Sequence, residues 1–385
     1  MNEVRYGIIG IGNMGSNHVK ALVEGRIENG VLAAVCDINP ARLQWAKEKK
    51  EDVAVFDTAE SFFENADVDA VIIATPHYFH PVYAIKGFEK GMHVLTEKPA
   101  GVYTKAVREM NEVAEKSGKV FGIMYNQRTN PVYAKVRDMI RGGELGELKR
   151  VVWVITDWYR SQSYYDSSSW RATWEGEGGG VLLNQCPHQL DLWQWMCGMP
   201  CEIRSFMQYG KNRNIEVEND VTTYAKYPNG ASGVFISSTH DTPGSNRLEI
   251  TGDLGKLVVE RSSIVFYKNQ MGEKEFNATY TGGFGEPGYE KIDVEIPGKD
   301  LGHVGILQNF TNAIVKGEEL LAPGCEGIRG LSISNAMHLS DWTGEAVNPM
   351  EIDEDRFYEL LQEKIRTSTF KKETKAQTLD TANSY

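Results

Sequence analysis

Along the first third of the chain, short unbroken apolar runs alternate with longer stretches in which apolar residues recur at helical spacing. The runs fall at residues 4–9, 31–36, 53–56, 70–74, 93–95 and 120–125, and the mixed stretches at 40–50, 59–64, 82–90 and 104–117. Short runs of that kind read as strands buried on both faces. Their alternation with helices predicts βαβ units and a parallel sheet, closing near residue 128. From residue 131 the rhythm changes. A helix is expected over 134–141, a strand over 148–156, an aromatic-rich loop over 157–177 and one apolar helix running through residue 196. Residues 203–207, 221–227, 233–239, 247–251 and 255–260 read as successive antiparallel strands, with a hairpin signal at Asn229-Gly230. A long loop is expected over 271–290, helices over 303–315 and 327–342, and a polar tail or arm over 366–385. The pattern divides the chain into residues 1–128, 129–350 and a C-terminal helix and tail at 351–385.

Composition narrows the class without naming a chemistry. With 385 residues there is ample core for two domains. A formal net charge of −12 speaks against nucleic acid or an anionic membrane as partner. The start of the chain lacks the charged and apolar regions of a leader, and no apolar run reaches membrane-spanning length. Five scattered cysteines do not form a disulfide framework or a zinc-like set, so no metal site and a cytoplasmic location are expected.

The first strand runs into Gly10-Ile11-Gly12-Asn13-Met14-Gly15, which opens a helix. Gly10 allows the tight turn, Gly12 lets a pyrophosphate approach the backbone, and Gly15 lets helix and strand pack closely. The helix start supplies free N–H donors to the phosphates. Asp37 ends the second strand about 20 residues later, where a carboxylate binds ribose hydroxyls and repels a 2′-phosphate; NAD is therefore the expected cofactor. Arg42 is placed to soften that preference if it folds back, though a solvated helix arginine is the plainer reading. The first domain reads as a doubly wound Rossmann sheet and the second as α+β with a large, mostly antiparallel open sheet.

Lys98 follows the strand at residues 93–95, at the carboxyl edge where such sheets bind ligands. Pro99 biases it toward an extended turn, and Glu97 beside it is expected to aim its ammonium. In the second domain Trp158, Tyr159, Tyr164, Tyr165, Trp170 and Trp174 lie in a hydroxyl-rich loop suited to stacking on a sugar ring; plugging an interface is the alternative. Three glycines, 178–180, then lead into the apolar helix, on which Asn184, His188 and Asp191 stand at steps of four and three residues and share one face.

Taken together, Gly10-x-Gly12-x-x-Gly15, Thr75-Pro76-His77-x-x-His80, Glu97-Lys98-Pro99 and the glycine-rich stretch through Asp191 resemble the glucose-fructose oxidoreductase, inositol dehydrogenase and MocA family (Gfo/Idh/MocA). The resemblance implies NAD contacts from the glycine loop, Thr75, Pro76, His77, His80, Glu97, Lys98 and Asn126. It also implies a substrate pocket that includes Tyr125, Arg128, Asn184 and Asp191, and a catalytic histidine at His188. His77 stands where the family more often has Asn. Asn184 stands where it commonly has Asp, so an amide replaces the carboxylate expected to support His188. An oligomer (dimer, tetramer or hexamer) through the second sheet is implied as well.

The reaction expected from these residues is metal-free oxidation of a secondary alcohol of a sugar or glycoside, with hydride passing to nicotinamide. His188 acts as base and Lys98 steadies the developing charge on oxygen. The Leu183-to-His188 stretch and the aromatic loop are similar to the branch that oxidises the C3 hydroxyl of glucosides. A myo-inositol or aldose dehydrogenase, an NAD-assisted glycosidase and a redox-silent NAD-binding subunit are the alternatives.

Overall fold

A computed structural model describes residues 3–372 and residue 374. The first domain follows the alternation in order: β1 Val4–Ile9, α1 Asn13–Val23, β2 Gly30–Cys36, α2 Pro40–Lys49, β3 Ala54–Phe56, α3 Ala59–Asn65, β4 Ala70–Ile73, α4 Phe79–Glu89, β5 His93–Thr96, α5 Thr104–Ser117 and β6 Phe121–Ile123. The six strands lie parallel in the order β3-β2-β1-β4-β5-β6. Every residue of β4 is buried, as a strand covered by helices on both faces requires. The order reverses between β1 and β4, and that reversal sets the crevice at their carboxyl ends.

The second domain comprises α6 Pro131–Arg141, β7 Leu148–Ile155, α7 Gln162–Asp166, α8 Val181–Asn184, α9 Pro187–Cys197, β8 Glu202–Tyr209, β9 Glu218–Lys226, β10 Ser232–Ser238, β11 Asn246–Gly252, β12 Gly255–Glu260, β13 Ser263–Asn269, α10 Glu273–Thr279 and β14 Tyr289–Asp293. Its eight strands are not paired in simple succession. β7 is inserted between β10 and β11, parallel to the first and antiparallel to the second, so the expected meander is interrupted at the sheet's centre. Alternation holds within each strand: Val151, Trp153 and Ile155 face the core, while Val152 and Val154 face outward. The loop expected over 271–290 contains α10 and the start of β14.

The single apolar helix expected after the glycines is broken. α8 ends at Asn184, and α9 restarts at Pro187, whose missing N–H and fixed φ suit a first helical position and not a continuous interior. Asn184 therefore ends one helix, while His188 and Asp191 stand on the next.

α11 Gly302–Lys316, α12 Gly327–Thr343 and α13 Glu354–Thr367 return to the first domain. Phe310, Leu331, Leu339, Phe357 and Leu361 join the core around the parallel sheet, while Ile333, Ala336 and Met337 on α12 join the core of the second. The helix is thus a spine shared by both domains. Residues 373 and 375–385, where much of the expected tail falls, lie outside the described residues; Ser368 hydrogen-bonds Glu216 and Lys372 donates to the Tyr165 carbonyl of the same chain.

Arg128 ties these pieces together from a 3₁₀ turn at Asn126–Thr129. Its guanidinium donates to both oxygens of Asp191 on α9 (2.8 and 2.6 Å), to Glu326 Oε2 (2.6 Å) and to the Leu321 carbonyl (3.1 Å). It lies between the rings of Tyr125 and Trp195, 5.5 and 5.3 Å from their centroids. Removing one partner of such a buried pair strands the other charge. Arg128→Met is expected to lower unfolding stability by about 3–5 kcal/mol in urea titration. An Arg128→Met/Asp191→Leu double variant is expected to recover part of that, and a single-variant loss below about 1 kcal/mol would contradict the clamp.

Candidate active site

The crevice at the β1–β4 reversal is built as a nucleotide cradle. Gly10 adopts φ +85°, and a side chain at Gly15 would lie 1.9 Å from the Gly10 carbonyl, so strand and helix touch there. A side chain at Gly12 would meet nothing within 4 Å, leaving open space over the backbone. Between them, Ile11, Asn13 and Met14 carry the loop into α1, whose first turn has no acidic residue and no side-chain cap. Its N–H groups remain available to an anion. Asp37 at the end of β2 accepts from the amides of Ile11 and Asn39, each at 2.8 Å, and so shapes the loop that it flanks. Arg42 lies in the first turn of α2.

Deeper in the crevice, Thr75 Oγ1 and Asn126 Oδ1 are buried without a hydrogen-bond partner among the described residues. Such atoms fit a bound polar group. His80 lies in the first turn of α4 beyond Pro76, its ring nitrogens 2.7 Å from the Pro99 carbonyl and 2.8 Å from that of Thr75. It braces the strand-end loops on each side of the lysine. His77 reaches across the domains: its Nδ1 is 3.2 Å from the Glu177 carbonyl, and Trp170 meets it edge-on at 5.5 Å.

Glu97 does not aim the lysine ammonium. Its carboxylate pairs with His18 Nε2 (2.8 Å) and accepts the Lys98 amide (3.2 Å). Burial alone would raise this acid, yet His18, with further help from His303 and Lys98, brings it down to about 2. The Lys98 side chain instead crosses to the second domain, where Nζ donates to the Asn184 carbonyl at 2.8 Å. Burial lowers the ammonium's pKa, with Glu97 opposing and Arg171 reinforcing the shift.

His188, one turn into the chain beyond Asn184, is buried. Its pKa is pushed well below the usual value by burial and then by the Lys98 charge, so the ring is neutral. Asn184 does not orient it. The Asn184 side chain bonds Glu177 and accepts from the Tyr164 hydroxyl at 3.1 Å, and His188 Nδ1 has no partner among the described residues. Asp191 is occupied by Arg128 rather than facing the pocket. Tyr125 packs edge-on against His188, with ring centroids 6.3 Å apart.

The aromatic loop separates into two sets. Trp158, Tyr165 and Trp174, expected at the pocket mouth, are buried in the protein's own packing. Trp174 lies among Tyr209, His338 and Trp342, and the Tyr165 hydroxyl meets Thr239 Oγ1 at 2.8 Å. Tyr159 remains exposed, and Tyr164 and Trp170 are half-buried. Glu177 and Arg171, whose charges act on Lys98, and His303, whose charge acts on His188, lie outside every motif; long-range folding alone brings them there. Another unmarked residue, Glu218, accepts the amides of Gly180 and Leu182 and fixes the start of α8.

Both domains match models of a known family. A family model described as "Oxidoreductase family, NAD-binding Rossmann fold" matches residues 4–125, and one described as "GFO/IDH/MocA C-terminal domain" matches residues 133–258. The chain belongs to the Gfo/Idh/MocA family of NAD-binding oxidoreductases. The rhizopine catabolism protein MocA of Rhizobium meliloti is 32% identical over 226 residues, 58% of this chain and 63% of that protein, which is under two thirds of the relative's length. An inositol 2-dehydrogenase of Rhizobium meliloti (strain 1021) is 25% identical over 86% of this chain and 95% of its own. Among solved structures, the WlbA dehydrogenase from Chromobacterium violaceum, in complex with NADH and UDP-GlcNAcA, superposes with a TM-score of 0.78 at 27% identity, covering 90% of this chain and 96% of that one. The Gfo/Idh/MocA glycine loop, Asp37 and the orphaned atoms of Thr75 and Asn126 fit the dinucleotide that this family binds.

The depressed acid at Glu97 carries a stability signature. Its folded pKa lies below the ordinary 4.5, so its contribution is complete above about pH 4.5 and is lost as pH falls toward about 2. Wild type is expected to lose roughly 3 kcal/mol more than Glu97→Gln across that window in denaturant titrations. Parallel curves for the two proteins would contradict the His18–Glu97 assignment.

Proposed function

We propose that this chain is an NAD-dependent dehydrogenase that oxidises a secondary hydroxyl of a sugar, with the C3 hydroxyl of a glucoside as leading substrate. The observation that carries the reading is the Lys98 Nζ to Asn184 carbonyl bond of 2.8 Å, which joins the lysine turn of one domain to the segment bearing the histidine in the other. Bound nicotinamide supplies the hydride acceptor. The chain's own residues supply the rest. Lys98 Nζ donates to the alcohol oxygen and steadies negative charge as it develops. The neutral His188 ring takes the hydroxyl proton, a task that suits a base kept unprotonated by burial. Tyr159, Tyr164 and Trp170 offer ring faces at the loop for the sugar or its aglycone. The inositol 2-dehydrogenase relative, matched over most of both chains, supports a cyclitol as second reading.

For assembly, the outward face of the large sheet points to a second copy. Phe206 and Tyr224 are 64% and 45% exposed there, and Val152, Val154, Val234 and Ile236 continue the apolar centre on β7 and β10. Charges of both signs surround it, with Lys226 paired to Glu202 and Arg247 to Glu249. An apolar centre within a mixed rim is self-complementary. Light scattering is expected to give a homo-oligomer that Phe206→Asp/Tyr224→Asp reduces toward monomer; a monomeric wild type would contradict it.

Lys98→Met and His188→Ala are each expected to lower kcat/KM by about 10²- to 10⁴-fold in NADH formation with a glucoside and inositol panel. NAD+ affinity from fluorescence titration is expected to stay within a few-fold, and near wild-type rates in both variants would remove the assignment. Because His188 titrates below its ordinary 6.5, the acid limb of kcat/KM is expected below that pH.

A further inference from the structure

We propose that the sugar substrate carries an anionic group, a carboxylate or a phosphate, which Arg160 and Arg171 hold beside Lys98. This rests on the sugar-dehydrogenase reading and names the class of sugar. Both arginines come from the loop between β7 and α8, and both converge on one ring. Arg171 lies 4.4 Å from the centroid of Tyr164 and 4.7 Å from that of Trp170; Arg160 lies 5.1 Å from Tyr164 and 5.4 Å from Trp158. The Tyr164 hydroxyl accepts from Arg171 Nη1 (2.5 Å) and Gln185 Nε2 (3.0 Å) and donates to the Asn184 side chain (3.1 Å). The backbone carbonyl of the same Asn184 accepts Lys98 Nζ at 2.8 Å. The arginines and the lysine are therefore linked through one tyrosine and one asparagine.

Each arginine gives one Nη1 donor to the protein and leaves its Nε donor unpartnered. Nε of Arg160 and Nε of Arg171 are buried with no hydrogen-bond partner among the described residues. Arg160 forms no ion pair within 4 Å among those residues; its Nη1 donates only to the neighbouring Tyr159 carbonyl at 3.0 Å. The carboxylate facing Arg171 is Glu177, 3.8 Å away and beyond hydrogen-bond reach. Glu177 already takes the Asn184 amide and, at 2.5 Å, the Ala172 N–H. Burial moves the Glu177 carboxyl upward, with the Arg171 charge opposing the shift. Glu97 is committed to His18 on the far side of the lysine.

Stacking on aromatic rings accounts for where the guanidinium faces lie but leaves both Nε donors without a hydrogen-bond partner among the described residues. A guanidinium edge matches the paired oxygens of a carboxylate or phosphate. A neutral sugar hydroxyl would satisfy single donors without using either charge. The dinucleotide's own phosphates are provided for elsewhere, at the Gly10–Gly15 loop.

The test measures NADH formation with methyl glucoside, methyl glucuronide and glucose 6-phosphate, the last two separating carboxylate from phosphate. Wild type is expected to favour one anionic sugar over the glucoside by roughly 10- to 100-fold in kcat/KM. Arg171→Gln and Arg160→Gln are expected to remove most of that preference while Arg171→Lys keeps part of it. NAD+ affinity and thermal unfolding serve as folding controls. In calorimetry on the NADH-bound protein, affinity for glucuronate is expected to fall with added salt. Turnover of the glucoside with no gain for either anion, or equal losses on all three sugars in the variants, overturns this inference and leaves the dehydrogenase reading standing. No oxidation of any sugar by NAD+-bound protein overturns both.

Discussion

One hydrogen bond between domains, Lys98 Nζ to the Asn184 carbonyl, sets what the rest of the crevice can do. A lysine taken out of water needs a partner, and here the partner is a carbonyl and not a carboxylate. The ammonium is thus bound to a carbonyl outside any ion pair, which in the proposed reaction leaves its charge to the substrate. Its backbone is held from behind by Glu97, whose own charge is absorbed by His18. Asn184 in turn is positioned by Glu177 and Tyr164, and the start of its helix by Glu218. Glu97, His18, Glu177 and Glu218 are buried and Tyr164 half-buried, so these bonds hold the lysine turn and the histidine segment together.

Electrostatics then separate the two reacting groups. Burial pushes both Lys98 and His188 toward their neutral forms; the Arg171 charge adds to the shift at the lysine, and the Lys98 charge adds to it at the histidine. In the proposed reaction the histidine, with the lower ordinary pKa, is the proton acceptor and the lysine the donor. The carboxylate expected at residue 184 is absent from the histidine's surroundings. Its nearest equivalent, Glu177, acts one residue removed, on Asn184. The Arg128–Asp191 pair holds α9 from its far side, so a residue expected in the pocket works by steadying the helix that carries His188.

Much of the first domain was legible because its signals are local. Buried runs, glycine spacing and the Asp37 position each depend on a few neighbouring residues, and the strands and helices appear within three residues of the pattern, the largest offset being the start of α4 at Phe79. The second domain was less so. Insertion of β7 between β10 and β11 is a long-range pairing that alternation within strands does not encode. Pro187 was a readable break, but the strength of the surrounding apolar run hid it. The site follows the same division. Lys98 and His188 stand in motifs, whereas Arg160, Tyr164, Arg171 and Glu177 reach them through a loop whose path is set by tertiary packing. Aromatic residues there looked alike in sequence; burial separates Trp174, a core residue, from Tyr164, which faces Lys98's partner.

The most direct measurement is a crystal structure of the protein with NAD+ and a glycoside bound in the crevice. A sugar hydroxyl is expected within about 3 Å of both Lys98 Nζ and a ring nitrogen of His188, with its carbon facing the nicotinamide. A sugar seated elsewhere, or a lysine turned away from that hydroxyl while His188 contacts none, would contradict the convergence of the two domains on one alcohol.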